Sequence, residues 1–80
     1  MKTVYITFRS LTKAQRAKKE LQRRRIQSEL IRTPRQLQSG GCGYSLRMTE
    51  AAYLNARPLP AGYQRVYLQS ASGETEALVT

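Results

Sequence analysis

The chain has 80 residues, with 14 Lys and Arg against 5 acidic side chains, and a formal net charge of +9. That length is one small domain. With no histidine, aspartate or tryptophan and one cysteine, the composition excludes Ser-His and Cys-His nucleophile pairs, Cys2His2 and four-thiolate zinc sites, and an internal disulfide. The acids are Glu20, Glu29, Glu50, Glu74 and Glu76, too scattered for a two-carboxylate hydrolase or an EF-hand. No metal or organic cofactor is therefore expected. The apolar complement is thin, which makes a homodimer an expectation for a domain of this size. No stretch approaches the roughly 20 apolar residues of a membrane span. The apolar run at residues 3–8 stops at Arg9, too short for a signal peptide. These features point to a protein of a reducing cytoplasm with no membrane partner.

In chain order, residues 3–8 alternate, with Val4, Ile6 and Phe8 on one face and Thr3, Tyr5 and Thr7 on the other, the pattern of a half-buried strand. Ser10 or Thr12 caps a helix, and Thr12 with Gln15 has capping-box spacing. Leu11, Ala14, Ala17 and Leu21 form its narrow apolar stripe, and it ends near Arg24 with its arginines turned to solvent. Residues 28–33 read as a second strand stopped by Pro34, and 34–43 as a loop with Gly40, Gly41 and Gly43 around Cys42. A third strand follows over 44–48, then a short helix capped by Thr49 and halted by Pro58, then a fourth strand over 64–69. The order βαββαβ predicts an α+β, split-βαβ, ferredoxin-like two-layer sandwich. Its single four-stranded antiparallel sheet has the order 4-1-3-2. One domain is expected over 1–70, with a flexible tail over 71–80.

Cys42 is the one side chain of nucleophile grade. Its glycine neighbours leave backbone N–H groups uncovered, and Arg35 and Arg47 add positive potential, each of which favours a thiolate. A small buried hydrophobe at a strand start is the competing reading. Three stretches, Val4 to Phe8, Leu30-Ile31-x-Thr33-Pro34-Arg35-x-Leu37 and Cys42-Gly43-x-x-Leu46-Arg47, together with the alanine-lined helix, resemble the small selenium/sulfur carrier-like family. The resemblance implies a non-enzymatic carrier that holds sulfur or selenium on Cys42 as a persulfide or perselenide. Gly41 and Gly43 flank that anchor, and Arg35 is the loop cation. Its implied partners are a sulfur- or selenium-donating enzyme and an acceptor protein. Where that family usually ends its first helix with glycine, this chain has Arg25, which a left-handed cap would strain.

The first helix also carries Lys13, Arg16, Lys18, Lys19, Arg23, Arg24 and Arg25. Such a face solubilises a thin domain, or docks an acidic partner or phosphates. Nucleic acid is the alternative function: Tyr5, Arg47, Arg65 and Tyr67 would share the open sheet face, in outline a platform for single-stranded RNA. The RNA-recognition signature is absent from the third strand.

Overall fold

The structure, a computed structural model, describes residues 2–37 and 43–78. Its elements are β1 (Thr3–Phe8), α1 (Leu11–Arg23), β2 (Glu29–Arg32), a 3-10 turn (Arg35–Leu37), β3 (Tyr44–Thr49), α2 (Glu50–Asn55), β4 (Arg65–Gln69) and β5 (Thr75–Leu78). The strands form one antiparallel sheet in the order β2-β3-β1-β4-β5. The first four follow the expected 4-1-3-2 order. The sheet has five strands, however, and not four.

The extra strand lies within the segment expected as a tail, and one turn explains it. Ser70 and Glu74 bracket a three-residue loop, with Gly73 N–H donating to Ser70 O at 2.9 Å and Ser70 N–H to Glu74 O at 2.8 Å. Gly73 takes φ +94, the left-handed residue that this hairpin loop requires. Beyond it Leu78 packs against the core, while Thr75, Glu76 and Ala77 stay exposed.

Both helices cover one face of the sheet. Val4, Ile6, Phe8, Leu46, Met48 and Val66 from the strands meet Ala14, Ala17, Leu21, Ile26, Tyr53 and Ala56. The small alanines let α1 approach closely, and Leu21 fills the space that they leave. Leu11, expected in the same stripe, is 40% exposed. At 100° per residue it falls on the flank of α1 that carries Lys18, off the buried stripe of Ala14, Ala17 and Leu21. The cap is Ser10, whose Oγ accepts from Lys13 N–H at 3.2 Å, so Thr12 is already inside the helix. At α2, Thr49 Oγ1 accepts from Ala52 N–H at 3.1 Å. β1 is buried on both faces, Tyr5 and Thr7 included, because it is the central strand. No described helix is long and apolar enough to cross a membrane.

The end of α1 shows how local chemistry fixes the fold. Ile26 N–H bonds Leu21 O at 2.8 Å and Arg25 N–H bonds Gln22 O at 2.9 Å, the paired bonds of a Schellman cap, with Leu21 and Ile26 both in the core. Arg25 pays for this with φ 60, a left-handed conformation that an L side chain disfavours. Arg25→Gly is expected to stabilise the fold by about 1 kcal/mol in urea unfolding, and Arg25→Ala to gain nothing.

Arg24 is not simply turned to solvent. Its Nε donates to Glu20 Oε2 at 3.1 Å, and its Nη1 donates to Ala56 O at 3.1 Å and Pro58 O at 2.8 Å. The guanidinium thus ties the end of α1 to the chain leaving α2. Arg24→Met is expected to cost about 1–2 kcal/mol, below the full worth of charged hydrogen bonds because the group is partly solvated. Arg24→Lys should recover only part of that loss, since an ammonium cannot reproduce the planar fork. Equal stability of all three proteins by thermal unfolding would show that the tie is idle.

Candidate functional site

The loop between β2 and β3 leaves one end of the sheet, where Phe8 faces Tyr44 across β1 and β3 and Arg32 faces Tyr44 across β2 and β3. Its base is held twice. Thr33 N–H donates to Gly43 O at 3.0 Å, and the Thr33 and Ser45 hydroxyls share a buried hydrogen bond of 2.7 Å. Pro34 stops the strand because it has no N–H to donate, and its carbonyl accepts from Leu37 N–H at 2.9 Å to set the following turn. The Thr-Pro-Arg run therefore clamps the neck of the loop and delivers Arg35, exposed, at the start of the turn.

Cys42 and Gly41 lie outside the described residues. Gly43 is half-buried, is not in the left-handed region, and a Cβ built there meets nothing within 4 Å. Gly43→Ala is accordingly expected to leave thermal stability unchanged.

The acidic side chains are confined to one end of the sheet, whereas cations stand at both. Arg9 and Ser10, which opens α1, lie at the loop end, as do Arg32, Arg35 and Arg65 at the neighbouring strand ends. All five glutamates fall toward the other end: Glu20 late in α1, Glu29 at the start of β2, Glu50 after β3, and Glu74 and Glu76 beside the end of β4. The positive end of the α1 dipole also points to the loop end. An anion at that end meets cations and no nearby carboxylate among the described residues.

The four residues of the alternative site do share the open face. Tyr5 faces Arg47 on one side and Tyr67 on the other, with Arg65 opposite Thr7. Two of them are committed within the chain. Tyr5 is 8% exposed and its hydroxyl donates to Gln69 Oε1 at 3.1 Å. Arg47 Nη2 donates to both Glu29 oxygens, at 2.8 and 2.7 Å, and this hydrogen bonding and opposite charge raise the Arg47 pKa above its ordinary value. A stacking platform needs exposed ring faces, which leaves Tyr67 and Arg65 to supply one.

In the sequence Thr33 stands out only within the Thr33-Pro34-Arg35 run, and Ser45, its partner in the clamp of the loop, not at all. Their signal is a pair of small hydroxyl residues at the facing ends of two consecutive strands.

A wide cleft of about 1280 Å³ opens at the opposite end, lined by Arg25, Gln27, Ser28, Glu29, Arg47 and Thr49 among others. It lies away from the loop.

A family model described as "Putative Se/S carrier protein-like" matches residues 3–59, from β1 past α2 and across the loop that holds Cys42. No curated protein and no solved structure matches the chain.

Proposed function

Since the chain belongs to the Se/S carrier protein-like family, we propose that it carries a sulfur or selenium atom on Cys42 between a donor enzyme and an acceptor protein. In the sulfur case the Cys42 thiolate attacks the terminal sulfur of the donor's persulfide. The donor's S–S bond breaks, its thiolate leaves, and Cys42 becomes the persulfide, so no net oxidant or reductant is consumed. An acceptor nucleophile then takes the terminal sulfur and returns Cys42 to the thiolate.

The observation that carries this reading is the confinement of the glutamates to the end of the sheet away from the loop. The strand ends that frame the loop bring arginines and the positive end of α1, while every glutamate lies toward the opposite end. Such surroundings favour a thiolate over a thiol. Arg35 is the nearest described cation along the chain on the β2 side, and Gly43, with open space where a Cβ would stand, leaves room for a partner's approach. The single cysteine also suits a carrier, because a second thiol would release the cargo as a disulfide. A reducing cytoplasm would keep it available. The first four strands and two helices fit a ferredoxin-like arrangement, extended here by β5.

The test is alkylation of Cys42 as a function of pH. Half-maximal rate is expected clearly below the free-cysteine value of about 8.5, and Arg35→Ala should move it upward by removing a cation that favours the thiolate. A Cys42 that reacts only once the protein unfolds would make it a buried structural residue and end the carrier reading.

A further inference from the structure

β2 is an edge strand, and its outer side has no partner among the described residues. The bond from Thr33 N–H to Gly43 O fixes which backbone groups point inward. Alternation then turns Glu29 and Ile31 toward β3, and leaves the N–H and C=O of Leu30 and Arg32 directed outward. Beside this edge runs one flank of α1, and the two border a groove of about 540 Å³ lined by Arg16, Lys18, Lys19, Gln22 and Leu30.

The two flanks of α1 are unlike. One faces the chain after α2, where Glu20 pairs with Arg23 and Arg24, and Arg24 is tied to Ala56 and Pro58. Beside β2, Lys18 lies on the other flank, and Arg16 and Lys19 on the outer face of the helix also line the groove, with no ion pair or hydrogen bond from these three side chains among the described residues. Leu30 and Arg32 share the helix side of β2, so the groove has an apolar floor under uncompensated cations.

We infer that this groove is the docking site for an extended acidic segment of a partner protein, added to β2 as a further strand. A strand edge presents donors and acceptors in turn, and another peptide satisfies both. A nucleic acid places its phosphate acceptors and sugar hydroxyls at spacings set by the nucleotide and not by the two-residue repeat of a strand, so it would match the N–H and C=O groups of Leu30 and Arg32 less completely. Every second side chain of the added strand falls on the helix side, into the groove that Leu30 and Lys18 border and Lys19 and Arg16 line from the outer face of α1, where glutamate and aliphatic residues complement what is there. The opposite edge of the sheet already takes a strand of that composition: β5 places Glu76 and Leu78 on the helix side. A second copy joined β2 to β2 would oppose two basic flanks on chains of charge +9. This surface does not depend on what Cys42 carries, and its test leaves that residue untouched.

The probe is a short blocked peptide alternating glutamate and valine, titrated into the full chain and followed by amide NMR. The expected result is perturbation of β2, with hydrogen exchange at Leu30 and Arg32 slowed by about tenfold or more at saturation. The double substitution Arg16→Glu, Lys19→Glu should weaken the dissociation constant by about tenfold. A peptide N-methylated at alternate residues, equal in charge but unable to pair, should lose most of its affinity. Equal binding by the N-methylated peptide would overturn strand addition. An oligouridine that perturbs the same residues where the peptide does not would assign the surface to nucleic acid. Exchange at Leu30 and Arg32 that slows with protein concentration alone would assign it to a second copy.

Discussion

Replacing Leu21 by Ala is expected to remove about 2–5 kcal/mol of stability, a large share of what a domain of this size holds. Leu21 is wholly buried, and it is among the largest side chains that α1 lays on the sheet. Its neighbours on that stripe are Ala14 and Ala17, whose short side chains cannot move in to fill the space. It also makes the apolar contact with Ile26 that accompanies the cap of the helix. Truncation therefore opens a cavity and loosens the helix end together. Urea unfolding measures the loss directly. A change no larger than that for Leu11→Ala, a residue left 40% exposed, would show that α1 is not seated as described.

The second large effect is chemical. Cys42→Ser is expected to abolish loading of sulfur from a cysteine desulfurase while leaving the fold intact. A serine hydroxyl stays protonated at neutral pH and forms no stable bond to sulfane sulfur, whereas the thiolate both attacks and holds it. The chain has no other cysteine to take over. With radiolabelled cysteine as the donor's substrate, label should stay with the native protein through gel filtration and be absent from the variant. Label retained by Cys42→Ser would mean that sulfur is held elsewhere, and the carrier role of Cys42 would be lost.

The regular elements are legible in the sequence because period and punctuation agree. β1, α1 and β3 fall within a residue of the expected bounds, since alternation gives way to a stripe at Ser10 and a capping threonine follows β3. β5 is hidden, because Glu74 to Leu78 follow small polar residues and look like a tail. Its signal is Gly73, placed shortly after Gln69 in a hairpin loop that alternation follows. Tyr5 and Thr7 look solvent-facing because alternation marks two faces without saying that a central strand with close neighbours buries both. Arg24 looks like a surface cation because its acceptors, the carbonyls of Ala56 and Pro58, lie 32 and 34 residues along the chain. For the site, one cysteine among glycines points to the chemistry, but only the strand register reveals that the glutamates gather at the opposite end.

The most direct test is the intact mass of the protein after incubation with a cysteine desulfurase and cysteine, without reductant. The carrier reading predicts a gain of sulfur that maps to Cys42 and disappears on adding reductant. An unchanged mass beside a fully loaded donor would contradict it.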